Sequence, residues 1–386
     1  MPSGSLKKRV AFSVINCICF DQRVQKIAET VSTLDCDILI VGRTLGECCK
    51  KNLVPFPVKR FRMLFRRGFF FYKFFSIRLF FYLLFCKCDL LVANDLDTLL
   101  PNFFVSKIRG IPLVFDSHEY FTGLPEIRDK PFIKRIWTTI ERLILPRLKY
   151  VMTVTDSISA AFEEKYGIKA AVVRNCSRKS GLIQGFPKNE LGISKDRFLL
   201  IFQGGGINMD KGGEELIEAV KMTEGVYLII AGSGEVMPTL KRKVSELYLE
   251  DRIKFFPKMP WKDLMRYTKS ADAGLSLEKD TNLNYRYSLP NKLFDYISAG
   301  IPVISGNLPE IKKVVEATGC GIIIPEITPE EISRAIVKLR DNPDLLNKFR
   351  QSSVIASESL NWENESKKVH DFYKQIIINT SDRNIA

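Results

Sequence analysis

The chain has 386 residues, of which 46% are hydrophobic and 26% charged. That length suits two domains, and that composition excludes disorder, collagen, a coiled coil and a small disulfide scaffold. Lysine and arginine outnumber aspartate and glutamate by 58 to 44; the whole surplus of +14 lies in residues 1–190, which points that half alone at an anionic partner and argues against a uniformly basic nucleic-acid binder.

The opening residues, MPSGSLKKRVAFSVIN, do not read as a signal peptide, because the apolar stretch at 10–15 is too short and no small-residue cleavage site follows. Short apolar runs at 9–15, 37–41, 90–93, 112–115, 151–154 and 171–173 predict strands, several of them buried on both faces. Helical patterns such as 22–34 and 131–148 fall between them, which is the βαβ signature of a parallel sheet. Residues 61–85, FRMLFRRGFFFYKFFSIRLFFYLLF, hold twelve Phe or Tyr and five Arg or Lys. Their longest uncharged run, 79–86, falls short of the roughly 20 residues a bilayer span needs. The stretch reads either as a helix covering the sheet or as an interfacial helix with cations on lipid phosphates.

Periodicity is lost over 176–194, where Gly, Ser, Lys and Pro accumulate, and 179–194 is assigned as a linker. Strand-like runs resume at 198–202, 227–231, 253–256, 273–277, 302–304 and 321–324, and 366–378 is an amphipathic helix. The expected architecture is α/β: two doubly wound Rossmann-like domains, 1–178 and 195–365.

Ligands of open α/β sheets bind beyond the carboxyl ends of the strands. In the first half those ends carry Asp21 and Arg23, then Asn94 and Asp95, then His118 and Glu119. His118 is one of only two histidines and sits beside acids in a loop, which favours a functional role over a filler one. Asp21 reads as an N-cap, and the Asp95-Leu96-Asp97 run as loop capping with an acceptor-side contact rather than a metal site. In the second half Gly204, Gly205 and Gly206 lead through Lys211 into a helix at 214–221, so backbone amides, a helix start and a lysine converge as they would on a phosphate. Gly232, Ser233 and Gly234 follow the next strand. Further on, Asn291, Lys292 and Asp295 open a helix; Lys292 and Asp295 share a face and would suit a diphosphate and a ribose. If the two edges face each other, a cleft lies between the domains. The nine cysteines form no Cys-x-x-Cys pair, so a zinc site is not expected and reduced thiols are.

In order along the chain, DQRV, ANDLDTL, FDSHEYF, VTDSI, VVRN, the glycine turn with its KG, AGSGE, SLPNKLFDYISAGIPVIS and LPEI resemble the group 1 glycosyltransferases, glycosyltransferase family 4, of GT-B architecture. The resemblance covers nearly the whole chain. It implies a retaining, metal-independent, hexosyltransferase-type enzyme with no cofactor, using a nucleotide-sugar donor and a glycan or lipid-linked saccharide acceptor in cell-surface polysaccharide synthesis. By that resemblance Lys211 neutralises the donor diphosphate, the glycines line it, Lys258 lies in the loop bordering the base, His118 sits near the transferred sugar, and Asp295 holds the ribose. The helix at 366–386 would pack back on the first domain, which would hold the acceptor. The pattern departs from the family at three places. The first acid of the paired-acid motif falls at Tyr287; the arginine before Lys211 is replaced within the glycine run, leaving Lys292 or Arg286 to substitute; and residues 16–21 stand where a glycine-rich loop is usual. The basic first half suits a cytoplasmic protein peripheral on the inner membrane face, touching anionic lipid through 61–85. The alternatives are a nucleotide-sugar epimerase or phosphorylase of the same architecture, or a non-catalytic membrane-associated partner protein; no nucleic-acid reading motif is present.

Overall fold

The computed structural model describes residues 7–16, 18–19, 21–44, 54–65 and 68–381. Residues 17, 20, 66 and 67, which belong to the stretches 16–21 and 61–85 singled out above, lie outside the described residues. The chain divides into two units, Met1–Arg174 with Glu365–Ala386, and Asn175–Asn364.

The first unit is built on a seven-stranded sheet of β1 (Lys8–Ser13), β2 (Cys36–Arg43), β3 (Val58–Phe61), β4 (Leu90–Asn94), β5 (Leu113–Ser117), β6 (Tyr150–Thr153) and β7 (Ala171–Val172). Their order is β3-β2-β1-β4-β5-β6-β7 and every pairing is parallel. The helices are α1 (Gln22–Ser32), α2 (Gly68–Phe85), α3 (Leu96–Arg109), the short α4 (Pro125–Arg128), α5 (Pro131–Ile144) and α6 (Asp156–Tyr166). All five residues of β4 and of β5 are buried, as expected of strands covered on both faces. β3 went unpredicted because its sequence, VKRF, is an edge strand with only Phe61 buried, and polar edges blunt the apolar signal.

The second unit carries β8 (Phe198–Gly204), β9 (Val226–Gly232), β10 (Ile253–Phe256), β11 (Ala273–Ser276), β12 (Val303–Ser305) and β13 (Gly321–Ile323), in the order β10-β9-β8-β11-β12-β13, again all parallel. Its helices are α7 (Gly213–Met222), α8 (Met237–Glu246), α9 (Trp261–Ser270), the short α10 (Leu283–Tyr287), α11 (Asn291–Ala299), α12 (Pro309–Thr318), α13 (Pro329–Arg340) and α14 (Pro343–Ser357). Along β8, Phe198, Leu200 and Phe202 face one core layer, while Leu199 and Ile201 face the other, so the period-2 alternation supplies both faces. In each sheet the winding reverses beside the first strand, at β1/β4 and at β8/β11. Those are the points where strand ends part and leave room for a ligand.

The last helix, α15 (Trp362–Ser381), buries Val369, Tyr373 and Ile376, and Tyr373 stacks on Phe12 of β1. Residues 179–194, expected as a linker, are instead part of the second unit. Ile193 is buried in its core beside Leu199 and Leu293, Ser180 donates to the Ser298 carbonyl, and Lys188 pairs with Asp272 at 2.6 Å. Periodicity fails there because the segment is strapped to the surface by side-chain hydrogen bonds rather than by a helix or strand.

Candidate functional site

At the carboxyl end of β8 the backbone turns through Gly204, Gly205 and Gly206. Gly232, ending the neighbouring β9, has φ +146°, and a Cβ there would lie 1.9 Å from the Gly204 carbonyl oxygen. Only glycine lets the two strand ends close to this distance. The Ser233 N–H and Ile207 N–H then exchange bonds with the Gly204 and Ser233 carbonyls at 3.2 and 2.7 Å. Gly205 is exposed, and the side chain its missing Cβ would meet is Lys258, whose Nζ is 3.8 Å away. Gly234 packs against the Ile207 backbone, and α7 begins at Gly212 with no side-chain cap on its first turn.

Lys211 enters this turn half-buried. Its Nζ lies 5.4 Å from the Tyr285 ring centroid, and among the described residues it forms no ion pair. A lysine over an aromatic face and outside any ion pair can still donate to an anion, although its charge also acts on the buried carboxyl of Glu278. Asn291 is exposed in the first turn of α11.

Two expected donor contacts are corrected. Lys292 is buried; its Nζ pairs with Glu278 at 2.8 Å and lies 4.6 Å from the Phe202 ring. Burial lowers its pKa against the pull of Glu278. Its charge is thus spent inside the fold, and it does not substitute for a phosphate cation. Arg286 is paired too, with Asp280 at 3.1 Å. Asp295 is also buried, and its oxygens accept from Ser177 Oγ, from Trp261 Nε1 at 2.8 Å and from Gln203 Nε2 at 2.9 Å. Gln203 in turn accepts from Thr268 Oγ1 at 2.7 Å. A carboxylate so occupied fixes the start of α11 beneath β8 and is not free for ribose hydroxyls. Lys292 and Asp295 share a helix face, yet each goes to a different partner.

The first unit's edge is organised around His118. Its Nε2 lies 3.1 Å from Asp116 Oδ2 and its Nδ1 3.3 Å from Asp95 Oδ2. Two carboxylates on two ring nitrogens fit the imidazolium, which donates from both. Burial alone would lower its pKa, but Asp95 and Asp116 outweigh burial and push it up to about 9. His118, expected near the transferred sugar, is held between these two acids. Asp116 is fully buried and also receives Arg23, Nε at 2.9 Å and Nη2 at 2.6 Å. Burial would raise its pKa; Arg23 and His118 overcome that and hold it well below the usual carboxylate range.

Asp95 accepts the His118 N–H at 2.8 Å and donates its own N–H to the Asp116 carbonyl at 2.9 Å. These bonds hold it at φ +59°, a conformation that costs a non-glycine residue about 1–3 kcal/mol. It makes no capping bond to α3, so the capping reading is corrected. Arg23, expected on the acceptor side, is 2% exposed and donates also to the Val173 carbonyl at 2.7 Å. Asn94 is likewise buried, donating to the Ser13 carbonyl at 2.9 Å. Both side chains donate within the first unit. Asp21 caps α1 by accepting from the Val24 N–H. Glu119 is half-buried, and its charge bears on the buried carboxyl of Asp97. Sequence reasoning missed Asp116, Trp261 and Glu278, all paired with residues far away in the chain. The one available signal was Asp116 itself, an acid ending an otherwise apolar strand.

Two open parallel sheets, each reversing beside its first strand and each carrying its polar cluster at the carboxyl edge, define the GT-B class of fold. Residues 186–353 match the family described as glycosyl transferases group 1. An uncharacterized glycosyltransferase of Methanocaldococcus jannaschii is 22% identical over 62% of this chain and 62% of its own length. The chitobiosyldiphosphodolichol beta-mannosyltransferase of Candida albicans is 21% identical over 65% of this chain and 59% of its own. The chain thus spans about three-fifths of these curated relatives. In structure it is similar to the HepE protein of Anabaena, solved with UDP and glucose: TM-score 0.77 and 16% identity, over 95% of this chain and all of that one.

Proposed function

We propose that this chain is a glycosyltransferase that moves a hexosyl group from a nucleotide-diphosphate sugar, with retention of configuration and without a metal, to a glycan or lipid-linked saccharide in cell-surface polysaccharide synthesis. The observation that carries the reading is the glycine turn after β8, closed on Gly232, with Lys211 beside it and in no ion pair among the described residues. Backbone amides, Lys211 and the nearby Lys258 supply positive charge where a diphosphate leaving group develops negative charge. Two buried carboxyls of this unit, Glu278 and Asp295, are engaged internally, which takes both out of consideration as nucleophiles for a double displacement. Front-face attack by the acceptor hydroxyl is the step this supports, through an oxocarbenium-like transition state.

The match of residues 186–353 to the group 1 glycosyl transferase family supports the reaction class, and the HepE complex with UDP and glucose supports a uridine nucleotide as the first donor to try. The name of the Candida albicans relative speaks of a diphosphodolichol-linked acceptor, which agrees with a basic first half and a lipid-linked diphosphate here. The location that follows is the cytoplasm, at the inner face of the membrane.

A thermal-shift panel of nucleotide sugars tests the donor site, since a ligand binding only the native state raises Tm by mass action. UDP-glucose or a related donor is expected to raise Tm of the wild-type chain. Lys211→Ala is expected to keep its own Tm and lose that shift, with turnover down about 100–1,000-fold. No shift with any nucleotide sugar, or an unaltered Lys211→Ala enzyme, overturns the reading. An epimer formed from the nucleotide sugar alone would turn it to an epimerase.

A further inference from the structure

Helix α2 has two apolar faces, and one of them has no protein against it among the described residues. The inner face, Phe71, Phe75, Leu79 and Leu83, is buried. Phe75 meets Phe61 of β3 edge-on at 6.1 Å, and Arg43 of β2 lies 4.4 Å from the Phe71 ring. The outer face repeats at intervals of four, three, four and four: Phe70, Phe74, Ile77, Phe81 and Phe85, each exposed, up to 80% at Phe85. Helical spacing makes these five one continuous stripe. Phe65 extends it by stacking against Phe70 and Phe74 at 5.6 and 5.5 Å. Phe104 and Ile108 are exposed as well, on α3, the helix packed beside α2. Soluble monomers rarely leave so large a contiguous apolar surface in water.

Charge identifies the occupant. Residues 48–88 contain ten lysines and arginines and no aspartate or glutamate. Lys73 and Arg78 lie at helical positions on either side of the outer stripe and both are exposed, Arg78 also donating to the Arg62 carbonyl and lying 5.1 Å from the Phe61 ring. An apolar stripe bordered by cations matches an anionic bilayer, rings at the acyl boundary and ammonium and guanidinium groups on phosphates. Two copies of the stripe set face to face would bring like charges together. A bilayer-spanning α2 would have to give up the inner face that packs against the sheet and carry Lys73 and Arg78 through the hydrocarbon.

We propose that α2 docks the first unit in the plane of an anionic lipid surface through Phe70, Phe74, Ile77, Phe81 and Phe85, with Lys73 and Arg78 at headgroup level and the exposed Phe104 and Ile108 of α3 beside them. This deepens the membrane location given above and does not depend on sugar transfer, so its failure leaves the donor reading standing.

Vesicle flotation of the full chain tests it. The wild type is expected to float with phosphatidylcholine vesicles containing phosphatidylglycerol, weakly with phosphatidylcholine alone, and to be released in part by high salt. Lys73→Glu with Lys107→Glu, the latter an exposed lysine in the last turn of α3 next to Ile108, is expected to lower binding at least about tenfold, since each cation near an anionic surface contributes roughly fivefold or more. Phe70→Ser with Phe81→Ser is expected to abolish flotation at any salt while leaving Tm within a degree or two, because these rings are exposed. Failure of the wild type to float at low salt overturns the proposal, as does unchanged flotation of the Phe70→Ser, Phe81→Ser chain. Resistance to alkaline carbonate extraction overturns it in favour of a span. Concentration-dependent dimerisation lost in that double variant, without vesicle binding, overturns it in favour of a second copy.

Discussion

The two carboxyl edges solve opposite problems with similar residues. In the first unit the charges around His118 meet charges: Arg23 on Asp116, Asp116 on His118, His118 on Asp95. In the second, Lys292 is matched by Glu278, but Lys211 lies over an aromatic face and forms no ion pair among the described residues. A closed ionic chain stabilises one backbone arrangement and has little left to give a ligand. A lone lysine beside a glycine turn contributes little to the fold and keeps its field for an incoming anion. Two lysines of one unit therefore differ in kind, and substitution separates them.

The largest expected effect lies in that separation. Lys292→Ala strips the partner from a carboxylate 1% exposed, and losing one member of a buried pair costs about 3–5 kcal/mol. Unfolding of the second unit is expected to shift by that amount, read by urea titration, whereas Lys211→Ala shifts it by less than about 0.5 kcal/mol. Replacing both Lys292 and Glu278 by Met and Leu should recover most of the loss, because two well-packed apolar groups need no counter-charge. Equal destabilisation by the two alanine variants would erase the contrast between the lysines.

A smaller effect sharpens the first unit's side. His118 is held up to about 9, above its ordinary value near 6.5, so its contribution is fully present below about pH 6.5 and is lost as pH rises through about 9. A shift of that size corresponds to about 3 kcal/mol. The urea midpoint of the first unit should therefore fall between pH 7 and 10, and His118→Gln should flatten that fall. A midpoint indifferent to pH in the wild type would mean that the ring is neutral between its two acids.

How much of this was visible in the residue order depends on the range of the contact. The strands read clearly because β1, β4, β5 and β8 are short apolar runs buried on both faces, a local signal. The turn at Gly204 to Lys211 was legible for the same reason: glycines, lysine and helix start lie within ten residues. Arg23 and Asp116 were not, being 93 residues apart and brought together only by the order in which the sheet is wound. Lys292 and Asp295 misled because their spacing fixes a shared helix face but says nothing of what faces it. Here it was Glu278 for one and Ser177, Gln203 and Trp261 for the other.

The smallest expected effect concerns Asp97, two residues beyond the strained Asp95. It is buried, and among the described residues its Oδ1 has no hydrogen-bond partner and it forms no ion pair. Burial raises its pKa well above the ordinary value, and the charges of Asp95 and Glu119 raise it further. A carboxyl in that setting avoids the cost of a buried charge by keeping its proton. An amide has nearly the same shape and no charge, so Asp97→Asn should change stability by less than about 0.5 kcal/mol at neutral pH. Asp116→Asn, made at a carboxylate that Arg23 and His118 both require ionised, should cost several times more. The two aspartates stand on adjacent elements of one edge, so a matched pair of urea titrations compares them directly. A loss at Asp97 as large as that at Asp116 would show that Asp97 is ionised, and that the first unit's edge holds a buried negative charge its cations do not meet.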